Sequence, residues 1–193
     1  MPRTKQFDEN QVIDAAMRKF WESGFEGTSM RDLEQCTALN RTSLYNAFGN
    51  KRQLFERALD HYTGKVLGEL STVLNGEPTA KQGIRALLNA VLKLHYDDDN
   101  PGGCLVALSV LESAQHDKQT TAMMQGTMQE LKRVLQARLS KAKKSGELSK
   151  TLDVGATSAA FITTIAGMAV MSKAGFSKLM VKKGNDQVIK LLD

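Results

Sequence analysis

Three observations predict an all-α fold, with a small N-terminal helix-turn-helix headpiece and a larger C-terminal helical body. Apolar residues recur at three- and four-residue spacing in segment after segment. Only 3 prolines and 6% aromatic residues stand among many Ala, Leu, Met and Lys, a helix-forming composition. The third is the short run Leu39-Asn40-Arg41-Thr42-Ser43-Leu44-Tyr45-Asn46-Ala47-Phe48-Gly49-Asn50-Lys51. Leu44 and Phe48 are four apart and share one helical face, while Arg41, Thr42, Ser43 and Asn46 project from the other. A short helix that follows another through a tight turn and shows donors and acceptors outward reads as a DNA recognition helix.

The headpiece elements follow in order. Asp8 opens a first helix with Gln11 at capping-box spacing, Ile13, Ala16, Met17 and Phe20 form its apolar stripe, and Gly24 marks its end. Thr28 and Ser29 offer the next N-cap, with Asp32 reciprocal to Ser29 and with Met30 and Leu33 facing inward. After the recognition helix, Asn50 and Gln53 cap a fourth helix carrying Leu54, Phe55, Ala58, Leu59, Tyr62 and Val66 towards the rest of the chain. These assignments place a helix-turn-helix domain at 1–50 and a connecting helix at 51–74.

The body occupies 75–193. Asn75-Gly76-Glu77-Pro78-Thr79 breaks the chain, and a helix follows through Ile84, Leu87, Leu88, Val91, Leu92 and His95. Residues 97–103, rich in Asp and Gly, form a loop. A short apolar segment runs from Cys104 to Ala114. Met124, Met128, Leu131, Leu135 and Leu139 mark a long amphipathic helix that Gly146 ends. Asp153 caps a nearly uncharged helix from Val154 to Met171, and a last helix carries Leu179, Val188, Leu191 and Leu192. The 154–171 helix approaches membrane-spanning length, but its Thr, Ser, Gly and Ala residues suit close helix packing better.

Charge excludes less than it suggests. The net charge is +5, yet basic and acidic residues cancel over residues 1–60, and the excess lies at Lys132, Arg133, Arg138, Lys141, Lys143 and Lys144, which read as a solvated face. DNA contact would therefore rest on placement, with Arg3 and Lys5 on an N-terminal arm, Arg41, and Lys51 at a helix start. Two distant cysteines build neither a disulfide framework nor a zinc site. No catalytic or phosphate-loop motif appears, and His61, His95 and His116 are scattered, leaving at most a loose grouping of His95, Asp97, Asp99 and His116. No signal-peptide core opens the sequence, so a cytoplasmic protein without cofactor or resident metal is expected.

Gly24-Phe25, Thr28-Ser29-Met30-Arg31-Asp32-Leu33, Leu44-Tyr45-Asn46-Ala47-Phe48 and Lys51-Arg52-Gln53-Leu54-Phe55 together resemble the TetR/AcrR family of transcriptional regulators, over about residues 8–62. Ala38 departs from the family, which usually has glycine in that turn, where a left-handed backbone is easiest. The resemblance implies a homodimer, paired through its last two helices, on a palindromic double-stranded operator. It also implies that Tyr45 and Lys51 grip the phosphate backbone. Thr28 and Ser29, at a helix N-terminus, suit a phosphate oxygen. Arg41, Thr42 and Asn46, with Ser43 beside them, are the candidates to read base edges.

The expected activity is that of a ligand-responsive repressor released by a small apolar or electrophilic effector. Cys104, Met124, Met128, Phe161 and Met168 are the candidate effector residues, since thioethers adapt to varied shapes, although methionines at helical spacing also serve as plain core. Cys104 follows Gly102-Gly103 at a helix start, and Gly-Cys-Leu there resembles family members that answer to oxidants or electrophiles through such a cysteine. A thiol switch at Cys104 is thus the alternative reading, with Cys36 assigned to packing. A helical ligand carrier without DNA function is a third, against which the set Thr28, Arg41, Tyr45, Asn46 and Lys51 argues.

Overall fold

The computed structural model describes residues 7–112 and 118–193, and these form nine α-helices and a closing 3₁₀ turn, with no strand among them. Arg3, Lys5 and His116 lie outside the described residues. The helices are α1 (Glu9–Gly27), α2 (Met30–Thr37), α3 (Arg41–Phe48), α4 (Lys51–Gly76) and α5 (Ala80–His95). They continue with α6 (Leu105–Leu111), α7 (Lys118–Lys144), α8 (Val154–Lys173) and α9 (Lys178–Val188), then the turn Ile189–Leu192.

Capping side chains set most helix starts. Ser29 and Asn50 form reciprocal boxes with Asp32 and Gln53, Thr79 does so with Gln82, and Asp153 accepts the Ala156 N–H. Asp8 accepts from Asn10 at 2.8 Å, in place of the Gln11 box that the spacing suggested. Gly24, at φ 74° and ψ 172°, breaks the regular helix where the sequence places its end, and a short helical segment follows it to Gly27. Ala38 adopts φ 57°, ψ 20°, the conformation expected for the turn before α3. An alanine there costs about 1 kcal/mol, an amount the packed turn absorbs.

Two apolar clusters organise the chain. The first joins Phe20, Leu33, Leu44, Phe48, Phe55 and Tyr62 of the headpiece to Leu105, Val106 and Met124 from α6 and α7. Aromatic rings dominate it: Phe20 meets Phe55 edge-on at 5.0 Å, and Trp21 meets Tyr62 likewise at 5.0 Å. The second packs the faces of α5, α7, α8 and α9 together around Leu87, Leu135, Leu139 and Phe161. Packing therefore crosses residue 75, because α6 completes the headpiece core. At Gly83 the helices α4 and α5 approach so closely that a Cβ would lie 2.3 Å from the Leu74 carbonyl.

Helix α8 alone among the described helices is long and apolar enough to cross a membrane, and it packs within the second cluster through Phe161, Ile165 and Met168. Its opposite face, Ala156, Ala159, Thr163, Gly167 and Val170, is exposed, small and at helical spacing. Phe176, Leu179, Met180 and Leu191, in the segments after α8, are exposed as well. Leu179 and Leu191, expected in the stripe of the last helix, thus face outward, whereas Val181, Ile189 and Leu192 are buried.

Candidate nucleic-acid interface and internal cavity

Helix α3 is held from beneath and capped at its start. Leu44 and Phe48 are buried, and Asn40 accepts the Ser43 N–H at 2.9 Å. Arg41, Thr42, Tyr45 and Asn46 are exposed, with Ser43 half-buried beside them. Tyr45 is 45% exposed, so its ring is not part of the core. Arg41 Nε donates to Glu34 on α2 at 3.0 Å, an exposed pair that links the two helices of the motif. Lys51, at the first turn of α4, holds its ammonium over the Phe25 ring, 4.4 Å from its centroid.

The two hydroxyls before α2 behave otherwise than the sequence suggested. Thr28 is fully buried and its hydroxyl donates to the Gly24 carbonyl at 2.7 Å, so it caps the end of α1 instead of presenting itself to a phosphate. Ser29 is exposed, but its N–H and hydroxyl both donate to Asp32, at 2.8 and 2.6 Å. Those bonds hold the Asp32 carboxyl below its usual range. Cys36, assigned to packing, is an exposed residue whose thiol turns back to the Leu33 carbonyl at 3.5 Å, and partial burial pushes that thiol up.

A small, partly open cavity of about 40 Å³ lies between α4, α5, α7 and α8 and is bordered by the start of α6. Its walls are Val66, Leu67, Leu70, Val91, Leu94, Val106, Leu131 and Ile165, with Cys104 and Met128 among them. A neighbouring cavity of about 130 Å³ is lined by Met124. Thr63 and Thr127 border both, their hydroxyl oxygens 3.4 Å apart. Phe161 and Met168 are buried in the second apolar cluster instead, where the Asn185 amide donates to the Met168 sulfur at 3.0 Å. They line neither cavity, so of the five candidate effector residues only Cys104 and Met128 share the first.

Two polar residues from the apolar stripes of α4 and α5, Tyr62 and His95, also line this cavity. Each is 3% exposed; His95 Nδ1 has no hydrogen-bond partner, whereas the Tyr62 hydroxyl is within hydrogen-bonding reach of the Cys104 sulfur and the Leu105 backbone N–H. Burial pushes the Tyr62 phenol well up, and the Cys104 sulfur beside it adds to the shift. Burial lowers His95 to about 4, which leaves its imidazole neutral. Their signal in the sequence was a polar tip on an otherwise apolar stripe in each of two helices. Among the described residues no three His, Cys, Asp or Glu side chains gather as metal ligands, and His116 of the loose grouping lies outside them.

Residues 12–58 match the model of bacterial regulatory proteins of the tetR family, and residues 80–181 match a tetracyclin repressor-like C-terminal domain. The second match covers more than half of the chain. The chain belongs to the TetR family.

Its relatives within that family are transcriptional regulators. This TetR-family chain is 30% identical to the HTH-type transcriptional repressor ComR of Escherichia coli (strain K12), over 92% of its own length and 86% of that protein. It is 29% identical to the repressor BdcR of the same organism over 54% of its length and 53% of BdcR. Among solved structures it resembles a cysteine mutant of the TetR family transcriptional regulator CifR, complexed with 26-base-pair double-strand operator DNA. The TM-score there is 0.89 at 27% identity, covering 99% of this chain and 100% of CifR.

Proposed function

We propose that this chain is a homodimeric transcriptional repressor in the cytoplasm that acts by binding, not by catalysis, and that a small-molecule effector releases it from a palindromic operator. The observation that carries the reading is α3: a row of exposed hydrogen-bonding side chains stands on a buried Leu44–Phe48 base with a capped start. The named repressors ComR and BdcR and the operator-bound CifR support it. Arg41, Thr42 and Asn46 read base edges, arginine suiting guanine and asparagine adenine, with Ser43 at their side. Tyr45 and Lys51 take phosphates. Ser29 contributes only if its bonds to Asp32 are exchanged, and Thr28 supports the motif from inside.

The division of labour follows the two ends of the chain. Residues 1–50 bind DNA with Lys51 beside them, 51–74 connect and supply one wall of the effector cavity through residues 62–70, and 75–193 supply its other walls and bind the partner copy. The exposed small-residue face of α8, with Phe176, Leu179 and Met180 in the segments after it, is the surface that a second copy covers. The effector occupies the cavity beneath α6 and favours a spacing of the two α3 helices that no longer fits successive major grooves. A tenfold fall in occupancy requires about 1.4 kcal/mol of differential affinity between the two states.

A second reading, a thiol switch, rests on Cys104 lining the cavity beside Tyr62. Fluorescence anisotropy of the reduced protein on DNA upstream of its own gene, against scrambled competitor at physiological salt, tests both. Specific binding that oxidation abolishes in wild type and spares in Cys104→Ser identifies the switch. Specific binding indifferent to oxidation identifies a reversibly bound effector. Equal affinity for scrambled DNA, repeated on sequences selected from a random pool, overturns the repressor reading.

A further inference from the structure

Glu34 and Arg41 meet across the turn between α2 and α3, and both stand on rigid supports. Glu34 follows Leu33, which is fully buried, and Arg41 opens α3 behind the Asn40 cap, with Leu44 buried in the same turn of helix. The connection between them is fixed as well. The Thr37 hydroxyl donates to the Leu33 carbonyl at 2.6 Å and accepts the Leu39 N–H at 3.4 Å. Arg41 Nε donates to Glu34 Oε1 at 3.0 Å. A guanidinium carries its other N–H donors on two terminal nitrogens, and those of Arg41 bond to no other described residue. The Arg41 side chain is 59% exposed, so this fork is open to solvent.

Two parallel N–H groups at the end of a guanidinium match the O6 and N7 acceptors of guanine in the major groove. The residues that begin a recognition helix are the ones that contact base edges. The carboxylate also weighs against the other use of an arginine. A phosphate brought to the Nε edge would meet the negative charge of Glu34, whereas a base edge carries none. We infer that Glu34 is a positioning residue for base reading, which holds the Arg41 guanidinium by Nε so that its terminal fork is set for guanine and kept from the phosphate backbone. The inference rests on the reading of the chain as an operator-binding regulator and adds the residue that sets the choice Arg41 makes. A side chain already held in one geometry has less freedom to lose on binding, and an arginine released from that hold reaches other acceptors. An exposed ion pair is a weak restraint, so its effect on base preference is on the order of two- to fivefold.

Sites selected from a random pool by the wild-type protein, then substituted base by base in both half-sites, give the preference at every position by competition anisotropy at physiological salt. The position where Arg41→Ala flattens the four-base pattern is the one Arg41 reads. Wild type is expected to favour guanine there by about ten- to a hundredfold. Glu34→Ala should cut that preference about two- to fivefold at this position alone, while removal of a negative charge raises affinity for all sequences together. Glu34→Gln gains the same overall affinity but keeps an acceptor, and should retain most of the preference. In an Arg41→Ala background, Glu34→Ala should change no base preference. The Arg41 Nε–H NMR signal should be protected from exchange in wild type and Glu34→Gln, free and on the operator, and unprotected in Glu34→Ala.

Undiminished guanine preference in Glu34→Ala, or a loss spread equally over positions that Arg41 does not read, overturns the inference. So does a base other than guanine at the Arg41 position, a Glu34→Gln protein as relaxed as Glu34→Ala, or an Nε–H that loses its protection on the operator. Each of these leaves the repressor reading standing. A wild-type protein that selects no sequence from the pool overturns that reading, and the inference with it. An Arg41→Ala protein with an unchanged pattern at every position removes Arg41 from base reading and overturns the inference alone.

Discussion

Glu112 Oε2 accepts the backbone N–H of Phe25 at 3.0 Å, joining the end of α6 to the break in α1. The break is at Gly24, whose left-handed φ of 74° presents that N–H to the carboxylate. A Cβ at Gly24 would lie 2.2 Å from Glu112 Oε1, so the glycine also makes room for the contact. Helix α6 begins at Cys104 in the cavity wall and ends at Glu112, so one short rigid element touches both the effector space and the headpiece. Glu112→Ala should cost about 1–3 kcal/mol in thermal or urea unfolding, the worth of a part-buried hydrogen bond to a charged acceptor. Hydrogen exchange at the Phe25 amide should accelerate, and Glu112→Gln, which retains an acceptor, should restore most of the protection. An unchanged exchange rate in Glu112→Ala would show that the contact carries no load.

The exposed side chains of α3 and the first residue of α4 separate into two kinds of contact. Arg41→Ala and Asn46→Ala should each cost about 1–3 kcal/mol on the specific operator and relax its sequence preference. Lys51→Ala should weaken binding to specific and random DNA alike and reduce the slope of log affinity against log salt by about 1. Because Arg41 is paired with Glu34 in the free protein, Glu34→Ala should strengthen the low-salt association rate. Competition anisotropy across salt concentrations distinguishes these outcomes.

Val170 is 43% exposed on the small-residue face of α8, a position that a partner copy would bury. Val170→Asp places an unpaired carboxylate there and should convert the protein to monomers in light-scattering chromatography. Affinity for a full palindrome should fall towards that for a half-site, while helix content is retained. A Val170→Asp dimer with wild-type affinity would move the interface elsewhere.

His95 makes stability depend on pH in mildly acidic solution. Its folded pKa is lowered to about 4 by burial, against an unfolded value of about 6.5. Between those values the unfolded chain binds more protons, so stability rises with pH. The contribution is complete above the unfolded value and is lost as pH falls from 6.5 towards 4, to a total of about 3 kcal/mol. His95→Leu should flatten that part of the urea-midpoint profile. A slope that persists unchanged in the variant would assign it to other groups.

Features under local control are legible in the order of residues alone. Helix starts at Asp8, Ser29, Asn50 and Asp153, the left-handed turn at Ala38, and the buried Leu44–Phe48 face of α3 all depend on residues within one or two turns of each other. The motif residues that carried the family resemblance lie in this same local register. Which apolar stripes meet is set by long-range packing. It buried Thr28 under the α1 break and turned Leu179 and Leu191 outward. It also placed Tyr62, His95 and Cys104 around one cavity while sending Phe161 and Met168 to another core. The Glu112–Phe25 bond spans 87 residues. Periodicity tells which face of a helix is apolar but not which helix it faces, and the cavity and the α6 contact exist only where several helices cross.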